Sequence, residues 1–380
     1  MFILTAVRES DEHNDIAIPE AELLIASLRG SLSAAPQCAD WAALATLAET
    51  HGVLPLVYRA LTAVRAELPD DFQRAVASSR ISTEMLAAEL EQLLAGFAQH
   101  GIDVVPLKGP VLAETIYGDI AMRPCEDLDL LVRVRDFSRA EKVLIDAGWI
   151  APSPVEEFER QFLRNGVLVE LHFGVASPRS FPFDLDGAWS TTQKSSFRGL
   201  PLLAMSETDR ALYLLLHGLK HGFGKLIWIL DAAHALSAVK ECSAHEFVRQ
   251  AKEQGLEQAL YIGCAMILEA SPEHLPKDLL AVLAESPEDM EAARARVATL
   301  LAGEAGTGRS PELSFYLQTE TERVRRWQCR LKFFSPTGED YQWTARHRLP
   351  NSFAPLVRPF RLLAKYGLRQ AWRTAFPPSA

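Results

Sequence analysis

No stretch of this sequence reaches the roughly 20 uninterrupted apolar residues that a membrane-spanning helix needs. Residues Met1 to Glu9 lack the basic-then-apolar order of a secretory leader. Cysteine is scarce: Cys38, Cys125, Cys242, Cys264 and Cys329 are odd in number, far apart and never spaced as CxxC. That pattern argues against both a disulfide scaffold and a structural zinc knuckle. Convincing Ser-His-Asp or Cys-His arrangements for nucleophilic catalysis are also missing. These absences predict a soluble, cytoplasmic protein without a membrane span.

What is present is a globular composition. With 380 residues, 48% hydrophobic and 23% charged, the chain is long enough for about two or three domains. The net charge of −10 is unevenly spread. From Thr321 to Ala380 there are 12 Lys or Arg against 3 Asp or Glu, a net of +9, which leaves −19 for residues 1–320. Such a basic end docks on nucleic acid or an anionic membrane, or folds back on the acidic body. Trp327, Phe333, Phe334, Trp343, Phe353, Phe360, Tyr366 and Trp372 favour folding back, because buried aromatics anchor a segment. The strongly acidic remainder argues against a long bound nucleic-acid strand.

Periodicity divides the chain into three zones. Ala21–Leu32, Trp41–Leu61 with a break at Pro55, and Ile81–Ala98 repeat apolar residues at helical spacing. Ile102–Leu107 is then a short apolar run closed by Lys108-Gly109-Pro110, a buried strand turning into a helix that runs to about Tyr117. Asp127–Val132 and Val167–Phe173 alternate as strands, with helical spacing between them at Phe137–Ala147. Helices resume at Glu207–Leu219, Leu226–Val239, Ala244–Gln254 and Gln258–Ala270. The expected fold class is α+β, a small mixed sheet flanked by N- and C-terminal helical regions.

The chemistry falls on the strands. Strand pleating sends Asp127 and Asp129 to one face and Leu128, Leu130 and Val132 to the other. Two carboxylates side by side repel unless a cation lies between them. By the same alternation Glu170 and His172 share a face, and Glu170 supplies a third acid, completing the usual holder of a two-metal site. Upstream, Lys108-Gly109 opens a helix whose N-terminus favours an anion such as a triphosphate. Gly109 permits close backbone approach, and Lys108 or Arg123 neutralises phosphate charge. Blander readings stand beside these: Lys108 as a surface cation, Arg123 as a partner of Asp127 or Glu126, and His172 as a half-buried, satisfied histidine.

His217 and His221 lie four residues apart on one helix face, but the glutamate of HExxH is absent and Lys220 adjoins them. They are expected, with Lys225 and Asp231, to form a polar cleft edge opposite the carboxylates, while Trp228 is expected in the core.

Taken together, Leu107-Lys108-Gly109, Tyr117-Gly118-Asp119, Arg123-Pro124, Asp127-Leu128-Asp129-Leu130-Leu131-Val132, Val169-Glu170-Leu171-His172, His217-Gly218-Leu219-Lys220-His221 and Leu226 to Asp231 resemble the uncharacterised bacterial nucleotidyltransferases of the DNA-polymerase-beta-like superfamily. The resemblance covers roughly residues 40–270. It implies a nucleotidyltransferase sheet, magnesium or manganese, and a nucleoside triphosphate as co-substrate. It also gives Gly109 to the phosphate turn and Asp127, Asp129 and Glu170 to the metals. One departure is Pro110, where the wider superfamily has Ser or Gly; proline offers neither N–H nor hydroxyl to a phosphate.

The resulting expectation is four regions: helices in 1–100, the nucleotidyltransferase core in 101–204, a helical domain in 205–300 and a basic, aromatic-rich segment in 301–380. The expected activity is metal-dependent nucleotidyl transfer to an acceptor hydroxyl on a small molecule or peptide, releasing pyrophosphate. Two alternatives remain: other phosphate-ester or glycosyl chemistry on the same scaffold, and a non-catalytic nucleotide- or partner-binding module.

Overall fold

In the computed structural model, residues 19–302 are described except 39, 156–157 and 177–182, together with scattered positions between 340 and 361. The chain begins with α1 (Glu20–Leu28), α2 (Trp41–Thr50), α3 (Leu54–Ala63) and the 30-residue α4 (Asp70–Gln99). The Asp40 carboxylate caps α2 by accepting from the Ala43 N–H. Pro55 lies in the first turn of α3 rather than at the break itself, which falls at residues 51–53. That is where a residue without an N–H fits a helix. Helix α4 starts well before Ile81, and Ile81 and Met85 are exposed; its core face is Phe72, Leu86, Leu90, Leu93, Leu94 and Phe97.

The sheet region follows as β1 (Val104–Pro106), α5 (Gly109–Tyr117), β2 (Asp127–Val132), α6 (Phe137–Asp146), β3 (Glu159–Arg164), β4 (Val167–His172), α7 (Leu185–Ser190), β5 (Gln193–Phe197) and β6 (Leu200–Ala204). Strand order is β1-β2-β4-β3, with β2 and β4 parallel and the two outer pairs antiparallel. A parallel β2–β4 pair needs a crossover, which α6 provides. The β3–β4 hairpin turns through Asn165-Gly166, both with positive φ (50° and 83°), matching the turn that hairpin twist favours. Strands β5 and β6 form a separate hairpin.

Helices α8 (Glu207–Lys220), α9 (Leu226–Ala238), α10 (Ala244–Glu253), α11 (Glu257–Ala270), α12 (Lys277–Leu283) and α13 (Pro287–Ala302) complete the described chain. Ser206 and Ser243 cap α8 and α10 through their hydroxyls.

Two apolar cores divide these elements. One packs α4 and α6 against Leu128, Leu130, Val132, Phe162, Val169 and Leu171 of the sheet. The other joins α1–α3 to α8–α13, so the first hundred residues contribute to both cores. No described helix is long and apolar enough to cross a membrane.

Of the aromatic residues expected to anchor the basic end, Trp327, Phe333, Phe334, Tyr366 and Trp372 lie outside the described residues. Phe353 and Phe360 are exposed. The buried Asp340 carboxylate accepts from Arg358 and Arg361, so two cations of the basic segment have an acidic partner within it.

Candidate active site

Strand register brings the acids together. In the parallel β2–β4 pair Asp129 stands opposite Glu170, and in the antiparallel β3–β4 pair His172 stands opposite Glu159 and Glu170 opposite Gln161. Side chains at paired positions share a face, so Asp127, Asp129, Glu159, Gln161, Glu170 and His172 line one side of three adjacent strands. The other side enters the sheet core. Among the described residues, one group with ligand atoms all within 4.8 Å of one another suits a metal: Asp129, Glu170 and His172. Of the three acids expected to hold metal, the structure brings Asp129 and Glu170 together there. Asp127 stands two residues earlier on the same face of β2.

Opposite charges answer these acids from two directions. Lys108, the residue before α5, extends its Nζ to 3.0 Å from Asp129 Oδ2 and 3.1 Å from His217 Nε2. Burial alone would lower the Lys108 ammonium, but Asp129 outweighs it and holds its pKa well above the usual lysine range. Burial, reinforced by Lys108, keeps His217 well below the usual imidazole range, so its Nε2 is a neutral acceptor and Lys108 donates.

His172 places Nε2 3.2 Å from Asp129 Oδ1 and Nδ1 3.2 Å from Glu159 Oε2. Burial disfavours its charge, yet the hydrogen bond to Asp129 and the surrounding carboxylates raise its pKa. Asp129, though buried, is held far below the carboxylate range by Lys108 and His172. Asp127 behaves oppositely: burial, then the neighbouring Asp129, pushes it up to about 7. The pocket is thus short of positive charge even with Lys108 and His172 in place. Carboxylate oxygens in that condition fit a hard divalent cation.

Gly109 has φ +70°, which a Cβ would strain; the space itself admits a Cβ in ordinary contact, 3.7 Å from Leu128 Cδ2 and 3.8 Å from Asp127 O. Pro110 occupies the first turn of α5.

Helix α8 covers the carboxylate face with Tyr213, His217 and Lys220. Tyr213 is buried, and burial raises its hydroxyl pKa. Lys220 holds its ammonium 4.9 Å from the Phe158 ring centroid, and burial pushes it below the ordinary lysine range, with Glu159 the largest opposing influence. The last turn of α8 is fixed by Gly218: a Cβ there would fall 2.1 Å from Phe223 Cε1, so only glycine lets that ring fold back on the helix. His217, His221 and Trp228 cluster with ring centroids 4.7, 5.4 and 5.1 Å apart, and Trp228 is half-buried beside the helical core.

Three expected site residues are paired with other groups, Arg123 still close enough for its charge to act on Asp127 and His217. The Arg123 guanidinium meets Asp231 through Nε (2.9 Å) and Nη2 (2.8 Å), and Tyr117 donates to the same carboxylate at 2.9 Å. Both charges are buried, 5% and 1% exposed, and serve each other rather than a cleft. Lys225 pairs with Glu126 at 3.0 Å on the surface. Sequence reading missed Glu159, Gln161, Tyr213 and Lys220. The Asn165-Gly166 turn signal leads to the first two, since counting back from that hairpin pairs Glu159 with His172.

A family model described as "Uncharacterised nucleotidyltransferase" matches residues 37–270. Among solved structures, the chain is similar to ANT(2")-Ia in complex with adenylyl-2"-tobramycin, at 11% identity and TM-score 0.34, covering 44% of this chain and 96% of that one. A search of curated proteins finds no match.

Proposed function

This chain belongs to the uncharacterised nucleotidyltransferase family, and from that premise we propose that it moves a nucleotidyl group from a nucleoside triphosphate to a hydroxyl of a small molecule or peptide. The acceptor oxygen forms a new bond to the α-phosphorus, the bond from that phosphorus to pyrophosphate breaks, and the hydroxyl proton passes to water. Asp129 and Glu170, with Asp127 beside them, would hold magnesium or manganese. When bound, such a cation would neutralise charge on the phosphates and make the acceptor hydroxyl easier to deprotonate.

The chain's own groups do the positioning, which carries most of the catalysis in phosphoryl-type transfer. Gln161 donates to Glu170 Oε1 at 2.9 Å and fixes its carboxylate. His172 and Lys108 hold the two oxygens of Asp129. The turn at Lys108-Gly109 presents the start of α5 to the phosphates. Helix α8 roofs the carboxylates, lowering the local dielectric so that each charge acts more strongly.

The observation carrying this reading is the Asp129–Glu170 register beside the Lys108-Gly109 turn. The test is incubation of the full chain with each of the common ribonucleoside triphosphates, magnesium and a panel of hydroxyl-bearing small molecules and peptides. Pyrophosphate release with a matching nucleotidyl mass gain on an acceptor is expected. Failure to bind any nucleoside triphosphate would remove this function.

A further inference from the structure

A triphosphate is a polyanion, and the proposed site already gathers Asp127, Asp129, Glu159 and Glu170. Its binding therefore needs cations that are not already committed. Arg123 is held in a bidentate pair with Asp231. Lys108 is engaged by Asp129 and His217, and Lys225 lies outside with Glu126. His172 is flanked by carboxylates at 3.2 Å on both ring nitrogens.

Lys220 is different. It sits three residues after His217, so both project from one face of α8 toward the carboxylates. The side chain is half-buried, and the charges acting on it are the acids Glu159, Glu170 and Asp129 and the nearby cation Lys108. Among the described residues it forms no hydrogen bond or ion pair; the contact it makes is with the face of Phe158. A half-buried ammonium without a fixed hydrogen-bond acceptor among the described residues contributes little to the fold, and methionine would fill the same space. A ring face is a weak partner, easily exchanged for an anion. The turn opposite also lacks one donor, because Pro110 has no N–H.

We propose that Lys220 is a triphosphate-binding residue of this site, its ammonium donating to phosphate oxygens of the incoming nucleotide. The role rests on the nucleotidyl-transfer reading above. It makes the last turn of α8 part of the substrate site, and it explains why Gly218 and Phe223 lock that turn in position.

Titration calorimetry of the full chain with inorganic tripolyphosphate and magnesium tests this without requiring the preferred base or the acceptor. Lys220→Met should bind tripolyphosphate at least about tenfold more weakly, the loss of one charge-assisted contact. Lys220→Arg should recover most of that affinity, and the surface control Lys142→Met should match the wild type. The melting temperature of Lys220→Met should stay level or rise, because a half-buried charge without a fixed partner is removed. Wild-type affinity in Lys220→Met overturns the proposal, as does a fall in melting temperature without loss of affinity. A wild-type chain that binds neither tripolyphosphate nor any nucleoside triphosphate removes the nucleotidyl-transfer reading itself, and this inference with it.

Discussion

Arg123 and Asp231 meet across 108 residues of sequence in a buried, bidentate pair that ties the loop before β2 to helix α9. Tyr117 completes the satisfaction of the carboxylate. Removing one partner of such a pair leaves the other charge buried and uncompensated, which costs about 3–5 kcal/mol. Arg123→Ala and Asp231→Ala should each destabilise by that amount in urea unfolding. Arg123→Lys should also be costly, because lysine cannot reproduce the fork. A change below about 1 kcal/mol would mean that the pair is not structural.

The two aspartates of β2 should separate in their effect on stability. Asp129 is the common partner of Lys108 and His172, so Asp129→Asn should lower the melting temperature. Asp127 is pushed up to about 7 by burial and by Asp129, so Asp127→Asn relieves repulsion and should be neutral or stabilising. The double substitution should abolish nucleotidyl transfer and magnesium-dependent nucleotide binding. Wild-type turnover in the double variant would exclude these carboxylates from the reaction.

At Gly109 the cost of a side chain should come from the backbone. With φ +70° and no atom closer than 3.7 Å to an added Cβ, Gly109→Ala should cost about 1 kcal/mol of stability through strain. Gly218→Ala meets a ring atom at 2.1 Å instead, and overpacking of that kind costs about 1–3 kcal/mol. Thermal unfolding of the two variants should rank Gly218→Ala as the more destabilised.

Two histidines outside the site predict acid sensitivity. Burial pushes His51 and His234 down to about 4, with Lys225 adding to the first and His274 to the second. Both are neutral in the folded chain, whereas an unfolded chain protonates histidine near 6.5. Between those values the unfolded state binds more protons, so stability falls as pH drops from about 6.5 toward 4. The combined His51→Gln and His234→Gln variant should show a flatter dependence of melting temperature on pH over that window. An unchanged slope would assign the acid sensitivity to other groups.

Much of this arrangement is legible in the sequence because it depends on short-range periodicity. Alternation alone puts Asp127 and Asp129 on one face of β2, and Glu170 and His172 on one face of β4. The helical repeats from Glu207 onward give α8, α9, α10 and α11 nearly to the residue. Strand β3 escaped because an edge strand reading Glu-Arg-Gln-Phe-Leu-Arg has only a faint apolar alternation, and with it Glu159 and Gln161 were lost.

Charge partnership belongs to the tertiary structure alone. Local pattern marks Lys108, Arg123, Lys220 and Lys225 equally as cations. Only the packing of α8 and α9 against the sheet region decides that Arg123 is spent on Asp231, Lys108 on Asp129, Lys225 on Glu126, and that Lys220 lies within reach of the carboxylates' field with no ion pair among the described residues. Periodicity is a property of neighbouring residues and is carried by the backbone repeat. Electrostatic pairing across a hundred residues depends on distance and burial in the folded chain, and no local spacing encodes it.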